Sequence, residues 1–375
     1  MRLLHLHSSF DAGGKELRSA RLMNRFGGGI EHSVVSTQPG ALGAAAALAQ
    51  DLRVEFPASF PALAGRRTPA RLQTLARAML GHDLVLTYNW GAMDAVMAHT
   101  LFSKALRLPP LVHHEDGFNA DEASGLMRGR NWYRRIALGR AAALIVPSRQ
   151  LERIAFDAWA QPRWRVRRIA NGVDTAAYAR PAKPTSLPRV IKRNGEFWVG
   201  TLTALRPVKN LPRLVRAFAA LPDNWQLVIA GEGPERDAIR DCALSLDIGH
   251  RVHLPGFIAR PAEVVGLFDV LALSSDSEQQ PVCVIEAMAA GLPVAAPAVG
   301  DIAEMVAPAN ARFIVPPADE TALGAALQAL AADPGLRRTV GQANRARAAA
   351  EFDEGTMVAA YRQAYADALG LGSFP

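Results

Sequence analysis

The stretch Val270-Leu-Ala-Leu-Ser-Ser-Asp-Ser-Glu278-Gln-Gln-Pro-Val-Cys-Val-Ile-Glu286-Ala-Met-Ala-Ala-Gly-Leu-Pro-Val294 reads as strand, loop, helix and strand in turn. Val270–Ser274 is an apolar run of strand length, and the polar loop behind it carries Glu278. Pro281 stands at a helix start, where its missing N–H costs nothing. The apolar residues that follow predict a helix to Ala290, stopped by Gly291 as C′ residue with Pro293 beyond. Pro293–Pro297 is the next strand. Such a unit builds a parallel sheet covered on both faces. Glu278 falls in its loop and Glu286 about a turn and a half into its helix. A helix N-terminus fed by a loop offers free N–H groups and a positive dipole end to an anion such as a diphosphate. Carboxylates beside it suit hydroxyl groups, as on a sugar or ribose.

Outward from this unit the alternation continues. Leu3–His7, Ser33–Thr37, Asp83–Thr87, Pro110–His114, Ala142–Pro147 and Val166–Ala170 are candidate strands of the N-terminal half. Phe197–Leu202, Trp225–Ala230, Arg251–Leu254 and Phe313–Val315 join the C-terminal set. The chain therefore reads as α/β, two doubly wound Rossmann-like domains facing across a cleft, with ligands at the carboxyl ends of the strands. The expected divisions are a domain over 1–175, a linker over 176–195 marked by Pro181, Pro184, Pro188 and Gly195, and a domain over 196–352. Residues 353–375 carry a helical stripe, Met357, Val358, Tyr361, Tyr365 and Leu369, expected to pack back on the N-terminal domain.

Composition bounds the rest. Of 375 residues half are apolar and 21% charged, which excludes a disordered chain. No apolar run approaches the roughly 20 residues of a membrane span. The first residues lack the pattern of a signal peptide, and Cys242 and Cys283 form neither a disulfide framework nor a metal cluster, so a cytoplasmic setting is expected. Residues 1–180 hold 24 basic against 14 acidic side chains, and the remainder 18 against 21. Arg128, Arg130, Arg134, Arg135 and Arg140 cluster with Trp132 and Tyr133, a mixture suited to an anionic membrane surface. The bland alternative is arginine scattered over solvated faces, since only five of 42 basic residues are lysine. No nucleic-acid partner is expected, because the basic half lacks interleaved aromatics. No metal is expected either: no Asp-x-Asp ends a strand, and the nine histidines contain no i, i+4 pair.

The two glutamates followed by Ala-Met-Ala-Ala-Gly-Leu-Pro-Val resemble the signature of the retaining GT-B glycosyltransferases of family 4 (glycosyl transferases group 1). Five further segments agree in order: Ile169-Ala-Asn-Gly-Val-Asp174, Val199–Asn210, Ile229-Ala-Gly-Glu-Gly-Pro234, Val252-His-Leu-Pro-Gly256 and Val299-Gly-Asp-Ile-Ala-Glu304. The match is dense in the C-terminal half and loose in the N-terminal half.

The resemblance implies a retaining, hexosyltransferase-type enzyme moving a sugar from a nucleotide diphosphate sugar to an acceptor hydroxyl. Polysaccharide or glycolipid synthesis is its expected setting, with a glycan or lipid-linked acceptor held by the N-terminal domain. No cofactor is implied, and the chemistry would need no metal. Glu286 would accept from the ribose hydroxyls, and Glu278 would sit by the donor sugar with Gln279, Gln280, Pro281 and Val282 around it. Gly231 and Gly233 of the "G-x-G-P" turn would belong to the same donor site. Lys209 would hold the diphosphate. The family arginine five positions earlier is here Ala204, and Arg206 is the nearest replacement. Gly13 and Gly14 would let backbone approach a phosphate or acceptor. His113 and His114 end a strand, where the family often has a histidine near the donor sugar. Alternation sends them to opposite faces, so at most one faces the cleft. Two rivals stand beside this reading: a sugar-nucleotide epimerase on the same fold, and a non-catalytic nucleotide-sugar-binding protein. A peripheral position at the inner face of the membrane accompanies the cytoplasmic expectation.

Overall fold

The computed structural model describes residues 1–38, 40–118, 122 and 125–375. The chain forms two units, Met1–Ala170 with Met357–Pro375, and Asn171–Thr356. Both are wound around a parallel sheet.

In the first unit the strands are β1 (Arg2–His7), β2 (Glu31–Ser36), β3 (Arg53–Glu55), β4 (Leu84–Tyr88), β5 (Leu111–His114), β6 (Ala143–Val146) and β7 (Val166–Arg168). They lie in the order β3-β2-β1-β4-β5-β6-β7. The direction of winding reverses between β1 and β4, so the carboxyl ends at His7 and Tyr88 border the crevice where such sheets bind ligands. Fully buried Leu4, Leu6, Val85, Leu111 and Leu144 face one helical layer. Leu3, Leu84, Leu86 and Val112 face the other, which includes Met357, Tyr361 and Tyr365 of the last helix, Glu354–Leu369. Consecutive strand residues thus feed opposite cores, which is why Leu3-Leu4, Leu84-Val85-Leu86 and Leu111-Val112 are continuous apolar runs.

The second unit has β8 (Phe197–Leu202), β9 (Trp225–Ala230), β10 (Val252–Gly256), β11 (Val270–Ala272), β12 (Val294–Pro297) and β13 (Ile314–Val315), in the order β10-β9-β8-β11-β12-β13. Its switch point lies between β8 and β11. Val199, Leu227, Ile229, Val270 and Ala295 build its core with the helices Leu211–Phe218 and Glu320–Ala332.

Three boundaries differ from the sequence reading, one of them the end of the second unit, at Thr356 rather than 352. The first unit's leading segment ends at Ala170 rather than 175, and residues 176–195 are not a free linker. Tyr178 and Leu187 are buried, and Lys192 donates to the carbonyl of Leu267 and to Asp269 within the second unit. The prolines hid these sparse anchors. The edge strand β3 was also missing from the sequence reading, because Arg53-Val-Glu55 has a single apolar residue. Among the described residues, no helix is long and apolar enough to cross a membrane.

Candidate active site

In the second unit two loops meet at the carboxyl ends of β8 and β11. The amide of Asp276 donates to the carbonyl of Val208 at 2.8 Å, and Ser274 Oγ donates to the carbonyl of Lys209 at 2.9 Å. Arg213, in the first turn of the next helix, donates to the carbonyl of Ser274 at 3.0 Å and to Asp276 at 2.7 Å. Zipped in this way, the loops bring Lys209 Nζ to 2.6 Å from Glu278 Oε1, which also accepts from Ser275 Oγ at 2.8 Å. Two of the residues that the resemblance implicates in donor binding, Lys209 and Glu278, therefore form an ion pair.

The Glu278 loop is pinned from behind. The amide of Asp301 donates to the carbonyl of Gln279 at 2.8 Å. Gly300 has φ +59°, and a Cβ there would lie 2.5 Å from the carbonyl oxygens of both Glu278 and Gln279. Only glycine allows that approach. The Gln280 side chain is turned away, its Oε1 accepting from the Asn171 amide at 2.5 Å while its carbonyl accepts from Asn171 Nδ2 at 3.0 Å. Pro281 is the N-cap residue, one position earlier than expected, and the helix runs Val282–Ala289 with Gly291 (φ +79°) beyond its end. Glu286 is 8% exposed on this otherwise apolar helix, and its Oε1 accepts from the Tyr178 hydroxyl at 2.6 Å. Cys283 lies in the field of both carboxylates: burial first, then the charges of Glu278 and Glu286, push its thiol up and keep it protonated.

Other expected residues take different places. Gly231 and Gly233 have φ +150° and +153°, and a Cβ on either would collide with the backbone of Thr203 or Leu205. Their role is to seat one turn against the other, a packing reason the motif alone did not convey. Arg206 and Ala204 are exposed on the 203–209 loop, and the Arg206 guanidinium makes no ion pair among the described residues.

In the first unit Gly13 is the extended N-cap of the helix Gly14–Phe26. A Cβ at Gly13 would meet the Glu16 carboxylate at 2.5 Å, while nothing lies within 4 Å of one at Gly14. The acid thus folds back over the positive end of its own helix, and it pairs with Lys15. His113 and His114 point to opposite faces, as alternation requires, and both rings are buried. His113 Nδ1 lies 2.8 Å from Thr87 Oγ1, and its Nε2 is 3.7 Å from Glu115. Arg134 is buried between Glu115 and Glu122. His114 Nε2 lies 2.9 Å from the Tyr365 hydroxyl. Burial, then the charge of Arg18, pushes His114 down to about 3, so it is a neutral imidazole. It belongs to a buried ladder with Tyr88, His7, His5 and His32.

The arginine cluster divides by face. Arg134 is buried, and Tyr133 donates to Asp94 at 2.8 Å. Arg128, Trp132, Arg135, Ile136 and Arg140 point outward, with Trp132 64% and Ile136 50% exposed.

Two family models cover most of the chain: Glycosyltransferase Family 4 matches residues 13–177, and Glycosyl transferases group 1 matches residues 184–347. The chain belongs to the group 1 glycosyltransferases. Among curated relatives of this family, N-acetyl-alpha-D-glucosaminyl L-malate synthase of Bacillus anthracis is 28% identical over 45% of each chain. The GDP-mannose-dependent alpha-mannosyltransferase of Mycolicibacterium smegmatis is 32% identical over 48% of this chain and 46% of its own. The matched stretch spans about half the length of these curated relatives. Among solved structures, Anabaena HepE in complex with UDP superposes with a TM-score of 0.78 at 22% identity, covering 99% of this chain and 100% of that one. The Thermosynechococcus elongatus sucrose-phosphate synthase gives 0.75 at 22%, covering 97% and 98%. At that identity they show the shared GT-B fold of two Rossmann-like domains.

Tyr178, Arg213, Ser275 and Gly300 were not singled out as functional from sequence. Gly300 sits inside a family-like segment, and Arg213 lies four residues beyond Lys209. Tyr178 carries no signal at all, being 108 residues from its partner.

Proposed function

We propose that this chain is a retaining glycosyltransferase that moves a sugar from a nucleotide diphosphate sugar to an acceptor hydroxyl, in polysaccharide or glycolipid synthesis. One observation carries the reading: Lys209, Glu278 and the helix bearing Glu286 converge at the switch point of the second sheet. Glu286 would accept from ribose hydroxyls and Glu278 from hydroxyls of the donor sugar. Lys209 would exchange Glu278 for the diphosphate, releasing that carboxylate to the sugar as the donor arrives. Its charge, the amides at the start of the Val282–Ala289 helix and Arg206 would stabilise the departing diphosphate, which gains charge in the transition state. These cations and dipoles are the chain's own, and the reaction is proposed to proceed without a metal ion. His113 and His114 are left out of the chemistry, since each ring is buried against its own partners.

The acceptor is proposed to be a glycan or a lipid-linked sugar, met at the inner face of an anionic membrane. The outward face of the Arg128–Ala137 helix supports this, pairing exposed Trp132 and Ile136 with Arg128 and Arg135. Flotation with anionic vesicles should be lost in high salt and in Trp132→Ala. Absence of flotation would leave this face as solvated surface.

The test of function is turnover of a panel of UDP-, GDP- and ADP-sugars with saccharide acceptors, followed by proton NMR. Transfer with the donor's anomeric configuration is expected. Conversion of the nucleotide sugar without an acceptor would indicate an epimerase, and binding without any turnover a non-catalytic binder, the rival to which Ala204 lends weight.

A further inference from the structure

Glu286 lies on a helix whose other residues from Val284 to Ala289 are buried and apolar. A carboxylate in such surroundings needs a donor to hold it. Tyr178 supplies one, at 2.6 Å, from the last residue of the short helix Thr175–Tyr178. That helix is itself fixed. Asp174 caps it by accepting from the Ala177 amide at 3.0 Å, and Thr175 Oγ1 donates to Asp353 at 2.7 Å. Val173 bonds through its amide and carbonyl to Phe352 and Glu354. Just upstream, Asn171 holds Gln280 by two hydrogen bonds. The Asn171–Tyr178 segment thus grips the start of the Val282–Ala289 helix at one end and its carboxylate at the other.

A phenylalanine would fill the same volume. The hydroxyl adds a fixed direction for the carboxylate, because a short charge-assisted bond to one oxygen sets the orientation of the other. We propose that Tyr178 is a positioning residue of the nucleotide subsite, aiming the Glu286 carboxylate at the ribose hydroxyls and so setting the preference for a ribonucleoside diphosphate over its dideoxy form. The assignment rests on the reading of Glu286 as the ribose ligand.

Calorimetric titration of UDP, GDP and ADP, each against its 2′,3′-dideoxy counterpart, tests it on the parent chain, Tyr178→Phe and Glu286→Gln. The parent should prefer the ribose form of whichever diphosphate binds. Tyr178→Phe should weaken that form by about 10-fold and leave the dideoxy form unchanged, so that the preference falls towards that of Glu286→Gln. A preference kept intact, or equal weakening of both forms, overturns the assignment, since a merely structural hydroxyl would not single out the ribose. Should Tyr178→Phe fold poorly, fluorotyrosine at position 178 keeps the ring and is a stronger donor. The preference should then rise, and an unchanged preference contradicts the proposal. If Glu286→Gln leaves the preference of the parent untouched, or no diphosphate binds, the donor-site reading itself fails and the Tyr178 assignment falls with it.

Discussion

Lowering the pH from 7.5 to 5.0 should destabilise the first unit by roughly 4 kcal/mol, through histidines that it buries uncharged. Burial holds His32 at about 4, and burial with the charge of Arg18 holds His114 at about 3. In the unfolded chain both titrate near 6.5. Above that pH neither state binds the proton, and stability is complete. Below it the unfolded chain takes up protons that the native chain refuses, so stability falls until the pH reaches the folded values. From 6.5 to 5.0 this is about 2 kcal/mol per histidine, at roughly 1.4 kcal/mol for each pH unit. His5 and His7 are also held well below the ordinary value, chiefly by burial, and deepen the loss. Burial pushes the Asp116 carboxyl up, but the charge and hydrogen bonds of Arg18 outweigh it and hold it below the usual range. Its contribution is therefore lost only at still lower pH. Against a typical domain stability of about 5–15 kcal/mol, a loss of this size is a large fraction. Hydrogen exchange read by mass spectrometry separates the two units within the intact chain. Peptides from β1, β4 and β5 should lose protection between pH 7.5 and 5.0, after correction for intrinsic rates. Peptides from β8 and β9 should lose less, because among the described residues the second unit has only His253 held below the ordinary value by burial, and it is only partly buried. Protection in β1, β4 and β5 that is unchanged or higher at pH 5.0 would refute the reasoning.

Three further outcomes are expected. Gly300→Ala should cost about 1–3 kcal/mol in stability and lower turnover at least 10-fold, because its Cβ would push the Glu278 loop off the site; a melt and a rate equal to the parent's would contradict this. Arg206→Ala and Lys209→Ala should each lower kcat roughly 10²-fold while weakening nucleotide binding less, since the contact strengthens as charge develops; an Arg206→Ala rate equal to the parent's would mean that another cation replaces the family arginine. Turnover should survive excess EDTA, and its abolition would overturn the electrostatic account of the leaving group.

The alternation of strands and helices was legible because each buried strand is a compact apolar run, as at Trp225–Ala230, where the expected and observed bounds coincide. Strand order was not, and the site depends on it. Lys209 meets Glu278 only because β8 and β11 are neighbours, although they are not consecutive in the chain. Gly231 and Gly233 were readable as special positions, but the sequence could not distinguish a glycine that makes room for a ligand from one that makes room for backbone. His113 and His114 were correctly sent to opposite faces by alternation. Their partners, Thr87 for His113 and Tyr365 for His114, lie far along the chain, and that pairing is not revealed by local sequence. Tyr178 was passed over inside a proline-rich stretch because linker composition outweighed one buried aromatic.

The central claim is that the switch point of the second sheet binds a nucleotide diphosphate through Glu286 and Lys209. Its most direct test is the affinity of the parent chain and of Glu286→Gln for the tightest-binding of UDP, GDP and ADP. Replacing a charged acceptor by a neutral amide of the same shape should cost about 1.5–3 kcal/mol of binding free energy. A Glu286→Gln chain that folds normally and binds that diphosphate as tightly as the parent would remove Glu286 from the site and contradict the account.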